Sequence, residues 1–343
     1  MRKYLLPETG NFYKANLHCH TNLSDAALSP EEVKREYMER GYSIVAYTDH
    51  DILIPHPELS EDDFLPMVGF EAEINSTEVP EKTCHICFVG LRPDVKQVCW
   101  HREKYLFANA PKHKSEAVVD DTMPDFEREY THECINEMIK RGVDGGFFVT
   151  YNHPTWSLEE AKDYMGLEGL SAMEIVNFSA ICDGFDEHNP RVFDDMLRAG
   201  KKIFCSATDD NHNHVPKDSP LYDSFGAFNM IKAPSLTYEN IANALINGDF
   251  YASEAPLIHE LYADTNEDGK SITVHIRTSD VRAINLTTDK RINRQKIVKN
   301  GESPITEATF TLNNIKFFRI TLTDACGNHA YTQSYYLADL LGQ

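Results

Sequence analysis

Histidines and carboxylates recur along this 343-residue chain in a pattern that could hold divalent cations. His18 and His20 stand two apart at the end of an apolar run, KANLHC. At the two-residue period of a strand their side chains project to one face, where both imidazoles can reach a single ion, while Cys19 between them faces away. Asp25 follows in a polar loop over residues 21–25. A second apolar run ends in Tyr47-Thr48-Asp49-His50-Asp51, and a third ends near Glu71. A fourth carries His85, a fifth ends in Asn152-His153-Pro154, and a later one ends in Thr208-Asp209-Asp210-Asn211-His212. Such groups are costly to gather unless cations hold them. A mixed nitrogen and oxygen set suits Zn²⁺, Mn²⁺ or Fe²⁺. The chemistry open to such a site is hydrolysis by a water activated on the ions, which also neutralise charge on the reacting group.

These residues need elements that bring them together. KANLHC, SIVAYT, PMVGFEA, CHICFVG, GGFFVTYN, SAMEIVNF and KKIFCSAT read as buried strands. Helical patterns with end signals lie between several of them. Ser29, Pro30 and Glu32 form a capping box that Gly41 answers at the other end, and Ser157 with Glu160 repeats the box. Asn189-Pro190 opens a helix that Gly200 ends, and Thr237 opens one that Gly248 ends. The alternation predicts an α/β fold with a parallel sheet. About seven such strands predict a barrel, whose strand ends converge on one face. Residues 94–131 break the rhythm as a charged insertion, either a lid or a disordered loop. Its Trp100, Arg102, Lys104 and Tyr105 would suit a lid over an anionic ligand. From about Ala255 onward, runs such as SITVHIR and FFRITLTD alternate polar and apolar residues, which predicts a small antiparallel β-sandwich. The expected division is a barrel over residues 1–254 and an accessory sandwich over 255–343.

Composition narrows the function. The formal charge of −21 argues against a large nucleic-acid surface, yet leaves room for a small phosphorylated substrate whose charge bound cations would meet. No stretch approaches the roughly 20 apolar residues of a membrane span, and the N-terminal segment lacks a signal-like apolar run, so a soluble cytoplasmic protein is expected. The eight cysteines are scattered and several lie in apolar runs, which fits reduced, buried thiols. Cys84 and Cys87 form a lone CxxC without the second pair of a zinc ribbon.

Taken together, Asn16-Leu17-His18-Cys19-His20-Thr21, Tyr47-Thr48-Asp49-His50, Gly69-Phe70-Glu71, Cys84-His85-Ile86, Asn152-His153-Pro154 and Asp210-Asn211-His212 closely resemble the motifs of the PHP (polymerase and histidinol phosphatase) superfamily. The resemblance runs from His18 through His212 and more loosely to about Pro256. It implies a distorted (β/α)7 TIM-like barrel holding two to three divalent ions: zinc, manganese or iron. One ion would take His18, His20, Glu71 and Asp210; a second would share Glu71 and add His85 and His153; a third would take Asp25, His50 and His212. The DxH spacing selects Asp210 over Asp209 and leaves His214 spare, in an outer layer or facing substrate. The implied activity is metal-dependent hydrolysis of a phosphoric ester in a small molecule, with Glu71, His50 and His212 as catalytic candidates.

Arg102, Lys104, Arg191 and His214 are the candidate substrate contacts, and Asp49 or Asp51 could orient a ligand or protonate a leaving group. Two alternatives stand beside this reading. The same site could attack a carbamate, ester or amide carbonyl. The chain could also be a metal-bearing binding module without catalysis, although every expected ligand position is filled. The C-terminal region resembles an appendage of two-domain family members. It could brace the barrel, pair two copies in a homo-oligomer or bind carbohydrate.

Overall fold

The computed structural model describes residues 1–299 and 301–342. The chain begins with β1 (Arg2–Tyr4), β2 (Asn11–Asn16), α1 (Pro30–Glu39), β3 (Tyr42–Tyr47), β4 (Leu65–Asn75) and β5 (Thr83–Gly90). It continues through α2 (Ala110–His113), α3 (His132–Asp144), β6 (Phe147–Tyr151), α4 (Ala161–Tyr164), β7 (Ala172–Asn177), α5 (Phe178–Cys182), α6 (Pro190–Arg198) and β8 (Phe204–Thr208). Then come β9 (Phe228–Ala233), α7 (Tyr238–Asn247), β10 (Phe250–Ser253), β11 (Ile258–Thr265), β12 (Ser271–Val281) and β13 (Ala283–Thr288). The last elements are β14 (Arg294–Ile297), β15 (Ile305–Asn313), β16 (Phe317–Thr323), β17 (His329–Tyr331), β18 (Tyr335–Tyr336) and α8 (Leu337–Leu341).

Local signals set several of these elements. Ser29 accepts from the Glu32 amide while the Glu32 carboxylate accepts from Ser29, so the capping box of α1 is complete. Thr237 caps α7, and Gly248 ends it in the left-handed region at φ 74°, where glycine carries no Cβ penalty. Ser157 does not cap a helix. It is buried beneath His153, and Glu160 with Asp163 caps the short α4 instead.

The expected closed barrel gives way to an open, mixed sheet of 14 strands, in the order β14-β13-β16-β17-β10-β9-β2-β3-β4-β5-β6-β7-β8 with β18 against β16. β2–β3–β4 and β6–β7–β8 are parallel, but β5 is antiparallel to both neighbours. The cause is the link over residues 76–82, a hairpin loop far shorter than the dozen or so residues a parallel crossover needs. Among the described residues no ladder joins β8 to β9. Two buried amides fill that seam. Asn229 bonds Ser206 Oγ and both backbone groups of Ala207, while Gln333 bonds both backbone groups of Cys205 and the carbonyl of Phe250. These side chains satisfy polar groups that a closing strand would otherwise meet.

At the C-terminal edge the segment that follows β8, the last strand of the sheet, does touch the segment that follows β2, in its middle. Asp210 N donates to the His18 carbonyl at 3.0 Å, and Cys19 bridges Asn211 in parallel. Apolar side chains on both faces of the sheet form the core: Phe70, Phe88, Ile139 and Phe193 on one side, and Ile44, Met67, Ile241 and Phe250 in a second cluster. The antiparallel layers pack face to face. The sheet β1-β11-β12-β15 lies over β13 and β16, with Leu261, Val274, Leu286 and Ile320 buried between them. Arg319 reaches across from β16 to Asp194 on α6 in a buried two-pronged ion pair at 2.7 and 3.0 Å. No described helix is long and apolar enough to cross a membrane.

The insertion is an ordered excursion with little regular structure. It is tied down by Asn109 N to Ser24 O and Val118 N to Leu53 O, and Arg128 pairs with Asp51 at 2.6 Å. All eight cysteines are free thiols, and Cys84 packs into the apolar core.

Candidate metal centre

The nine residues singled out as ligands meet at the edge where the segments after β2 and β8 touch. His18 and His20 follow β2, and their Nε2 atoms face each other 3.0 Å apart. Both point at Asp210 Oδ1, at 3.0 and 2.9 Å, and at Glu71 Oε2, at 3.3 Å each. Glu71 is the hub. His85 Nδ1 and His153 Nε2 lie 3.2 and 3.4 Å from its Oε1, and His50 Nδ1 lies 3.2 Å from its Oε2. Nearer the mouth, Asp25 Oδ2 stands 3.5 Å from His212 Nε2 and 3.7 Å from His50 Nε2. Three overlapping groups could each hold a cation: His18, His20, Glu71 and Asp210; His20, Asp25, His50 and His212; and His50, Glu71 and His85.

These groups approach closely without bonding well. Among the described residues, His20 Nδ1, His50 Nδ1, His85 Nε2 and Asp210 Oδ1 are buried and have no aligned hydrogen-bond partner. Unpaired buried polar atoms cost about 1–3 kcal/mol each, so four in one cluster need compensation. A cation facing imidazole lone pairs and carboxylate oxygens provides it, and the donor set fits Zn²⁺, Mn²⁺ or Fe²⁺.

Protonation tells the same story. Burial pushes Glu71 up, but His18, His85 and His50 bring it well below the ordinary carboxylate range. Burial opposes charge on His20 and His85, yet Asp210 and Glu71 lift His20 to about 10, and Glu71 and Glu73 lift His85 to about 10. Burial and the neighbouring His20 drive His50 down to about 3. Some imidazoles must therefore act as cations to balance the carboxylates, a role metal ions fill directly. The backbone is strained here too: His153 and Asp210 sit at φ 22° and 54°, a conformation that costs non-glycine residues about 1–3 kcal/mol.

An outer layer fixes this arrangement. Glu174, fully buried on β7, holds His18 Nδ1 at 2.8 Å and accepts from Thr208 Oγ1, His153 N and Asn177 Nδ2. It carries no recognised motif; its signal is a carboxylate in the middle of the apolar run Ala172-Met173-Glu174-Ile175-Val176. Asn177 reaches Asp210 at 3.0 Å, and Asn152 donates to Glu71 at 2.6 Å. Asp49 does not face the ligands. It accepts from Thr21 and Ser24, side chain and backbone alike, and so pins the loop that presents Asp25. Asp51 is taken up by Arg128. Asp209 turns away to cap the amides of Phe225, Gly226 and Ala227, which separates it from Asp210.

Over the centre lies a cavity of about 470 Å³ walled by Phe107, Trp156, Cys182, His214, Val215 and Leu221 beside the ligands. His214 thus lines the cavity. The cations expected there are elsewhere: Arg102 pairs with Asp125, Lys104 with Glu127, and Arg191 with Asp195. Among the described residues, no lysine or arginine lines the cavity. The insertion contributes Phe107, whose ring stands edge-on to His50 at 5.9 Å.

No family model matches the chain, and no curated protein does. Solved structures similar to it include a two-domain Bacteroides vulgatus protein, described as containing a predicted PHP-like metal-dependent phosphoesterase. Its identity is 14% and its TM-score 0.47, covering 97% of this chain and 98% of that one. A candidate metal-dependent phosphoesterase from Bifidobacterium adolescentis has 16% identity and a TM-score of 0.39, covering 63% of this chain and 91% of that one. An amidohydrolase from Chromobacterium violaceum with bound sulfate has 14% identity and a TM-score of 0.36, covering 60% and 92%.

Proposed function

We propose that this chain is a metal-dependent hydrolase of phosphoric esters in small molecules, with two to three divalent ions held by His18, His20, Asp25, His50, Glu71, His85, His153, Asp210 and His212. The observation that carries the reading is the convergence of His18, His20, Glu71 and Asp210 on one point, with His20 Nδ1 and Asp210 Oδ1 buried and without aligned hydrogen-bond partners. Divalent ions bound there would supply Lewis acidity and a nucleophile from water at neutral pH. Glu71 keeps its negative charge through the surrounding imidazoles and ties the inner ligands to His50. Asp25, His50 and His212 line the cavity side of the cluster, where substrate meets it. His214, beside His212 and outside the ligand groups, stands where a proton could be delivered to a leaving oxygen. Phe107 and Trp156 give the leaving group an apolar wall. Glu187 fixes Trp156 by accepting from its amide at 2.7 Å.

A second reading, hydrolysis of a carbamate, ester or amide, is favoured by the missing lysine and arginine: a neutral acyl substrate needs no cationic side chain. Assaying metal-loaded protein on an aryl phosphate, an aryl phosphodiester and an aryl carbamate separates the two. Phosphate release with little carbamate turnover is expected. Carbamate hydrolysis without phosphatase activity would overturn the phosphoester assignment.

A further inference from the structure

A second cluster of metal-binding character lies outside the cavity. His188, in the link between α5 and α6, Glu254, just past β10, and His329, at the start of β17, bring three ligand atoms within 4.8 Å of one another. Glu254 Oε1 is 3.0 Å from His188 Nε2, and its Oε2 is 3.3 Å from His329 Nδ1. Each imidazole thus faces its own oxygen of one carboxylate, a set of nitrogen and oxygen donors of the kind that holds zinc. The backbone locks two of the three together: Glu254 N donates to the His329 carbonyl, and His329 N donates to Glu254 Oε2, both at 2.9 Å.

Three features separate this cluster from an ordinary surface ion pair. Among the described residues, no lysine or arginine pairs with Glu254, so the side chains that face this carboxylate, 13% exposed, are two imidazoles. The other ring nitrogen of His188 lies 3.5 Å from the exposed carboxylate of Asp186, so a second anion stands on the far side of that ring. Both rings are about one-third exposed, at 31% and 33%, which leaves a fourth position open to water. Burial acts to raise the Glu254 carboxyl, but the two histidines take it down to about 2, so it is anionic at neutral pH.

We propose that His188, Glu254 and His329 form a separate divalent-metal site of zinc type, which staples the α5–α6 link to β10 and β17. Two histidines, one carboxylate and an open position are a zinc ligand set. None of the three lines the cavity, so this site neither supplies nor requires the hydrolytic centre. Its position next to Glu187, which holds the amides of Thr155 and Trp156, makes it a brace for one wall of that cavity.

The test uses the full chain, stripped by chelator and dialysed against a fixed free Zn²⁺ concentration. Zinc per chain is then counted for wild type, Glu254→Gln, His188→Asn and His329→Asn, with circular dichroism to check folding. The expected result is a loss of about one ion per chain in each folded variant. Glu71→Gln, which alters only the cavity centre, should keep the ion. Anomalous diffraction at the zinc edge should show density between the three side chains. Equal zinc content in wild type and all three variants overturns the site, as does anomalous density at the cavity cluster with none at the junction.

Discussion

Glu174→Gln probes the layer behind the metal centre, and its effect can be worked from the contacts. Glu174 is fully buried; its Oε1 faces His18 Nδ1 at 2.8 Å and Thr208 Oγ1 at 2.6 Å, and its Oε2 accepts from His153 N at 3.0 Å and Asn177 Nδ2 at 2.9 Å. Glutamine replaces one oxygen by an NH2 group, so one pair of donors must face another donor. Orphaning a buried group costs about 1–3 kcal/mol, and the His18 imidazole loses the anion that makes it a strong ligand. Removing such partners lowers metal affinity about 10- to 100-fold, which corresponds to about 1.4–2.7 kcal/mol. Competition with a chromophoric chelator gives the zinc affinity of stripped protein, and thermal unfolding with and without metal gives the stability. Glu159→Gln serves as control, because Glu159 is bonded to Tyr130 and Tyr151 rather than to a candidate ligand. Zinc affinity should fall for Glu174→Gln and hold for Glu159→Gln. A folded Glu174→Gln protein that binds zinc within about threefold of wild type would refute the reasoning, since the loss expected from this outer layer is at least tenfold.

Other consequences follow from separate parts of the molecule. Asp194→Asn leaves the Arg319 guanidinium buried without its anion and should cost about 3–5 kcal/mol in urea unfolding, whereas replacing both by leucine and methionine should recover most of the loss. Phe107→Ala removes the insertion's apolar contribution to the cavity and should raise KM for aryl substrates about tenfold with a smaller change in kcat, as steady-state kinetics will show. In zinc-free protein, the folded Glu254 carboxyl lies at about 2, below its ordinary value of 4.5. Its contribution is therefore present above pH 4.5 and disappears as pH falls through about 2. Glu254 also raises its partner His188 from the ordinary 6.5, a contribution lost as pH rises through the raised value, so the difference in unfolding free energy between wild type and Glu254→Gln should be largest between pH 4.5 and 6.5 and shrink at pH 3.

Much of the candidate ligand set was legible because a strand's period fixes which residues share a face, as with His18 and His20, and because such residues recur where apolar runs stop. Glu71 obeys a different rule. β4 continues four residues past it, and the antiparallel register that places Glu73 opposite His85 brings β5 in from the other direction. Only the shortness of residues 76–82 announces that hairpin. That the sheet stays open between β8 and β9 could not be read from a count of strands, because the seam there is filled by long-range bonds from Asn229 and Gln333. The charges on Arg102 and Lys104 misled for a similar reason: their partners, Asp125 and Glu127, lie 23 residues further on, and only the folded insertion pairs them. Phe107, the residue that does reach the cavity, looks like any other loop aromatic in sequence.

The most direct test of the account is the rate of aryl phosphate and aryl carbamate hydrolysis by chelator-stripped protein, measured as zinc or manganese is added back and bound ions are counted. The account predicts negligible turnover without ions and a rise in step with occupancy of the centre around Glu71. Turnover that is undiminished in metal-free protein, or a folded protein whose cavity cluster binds no divalent ion, would contradict it.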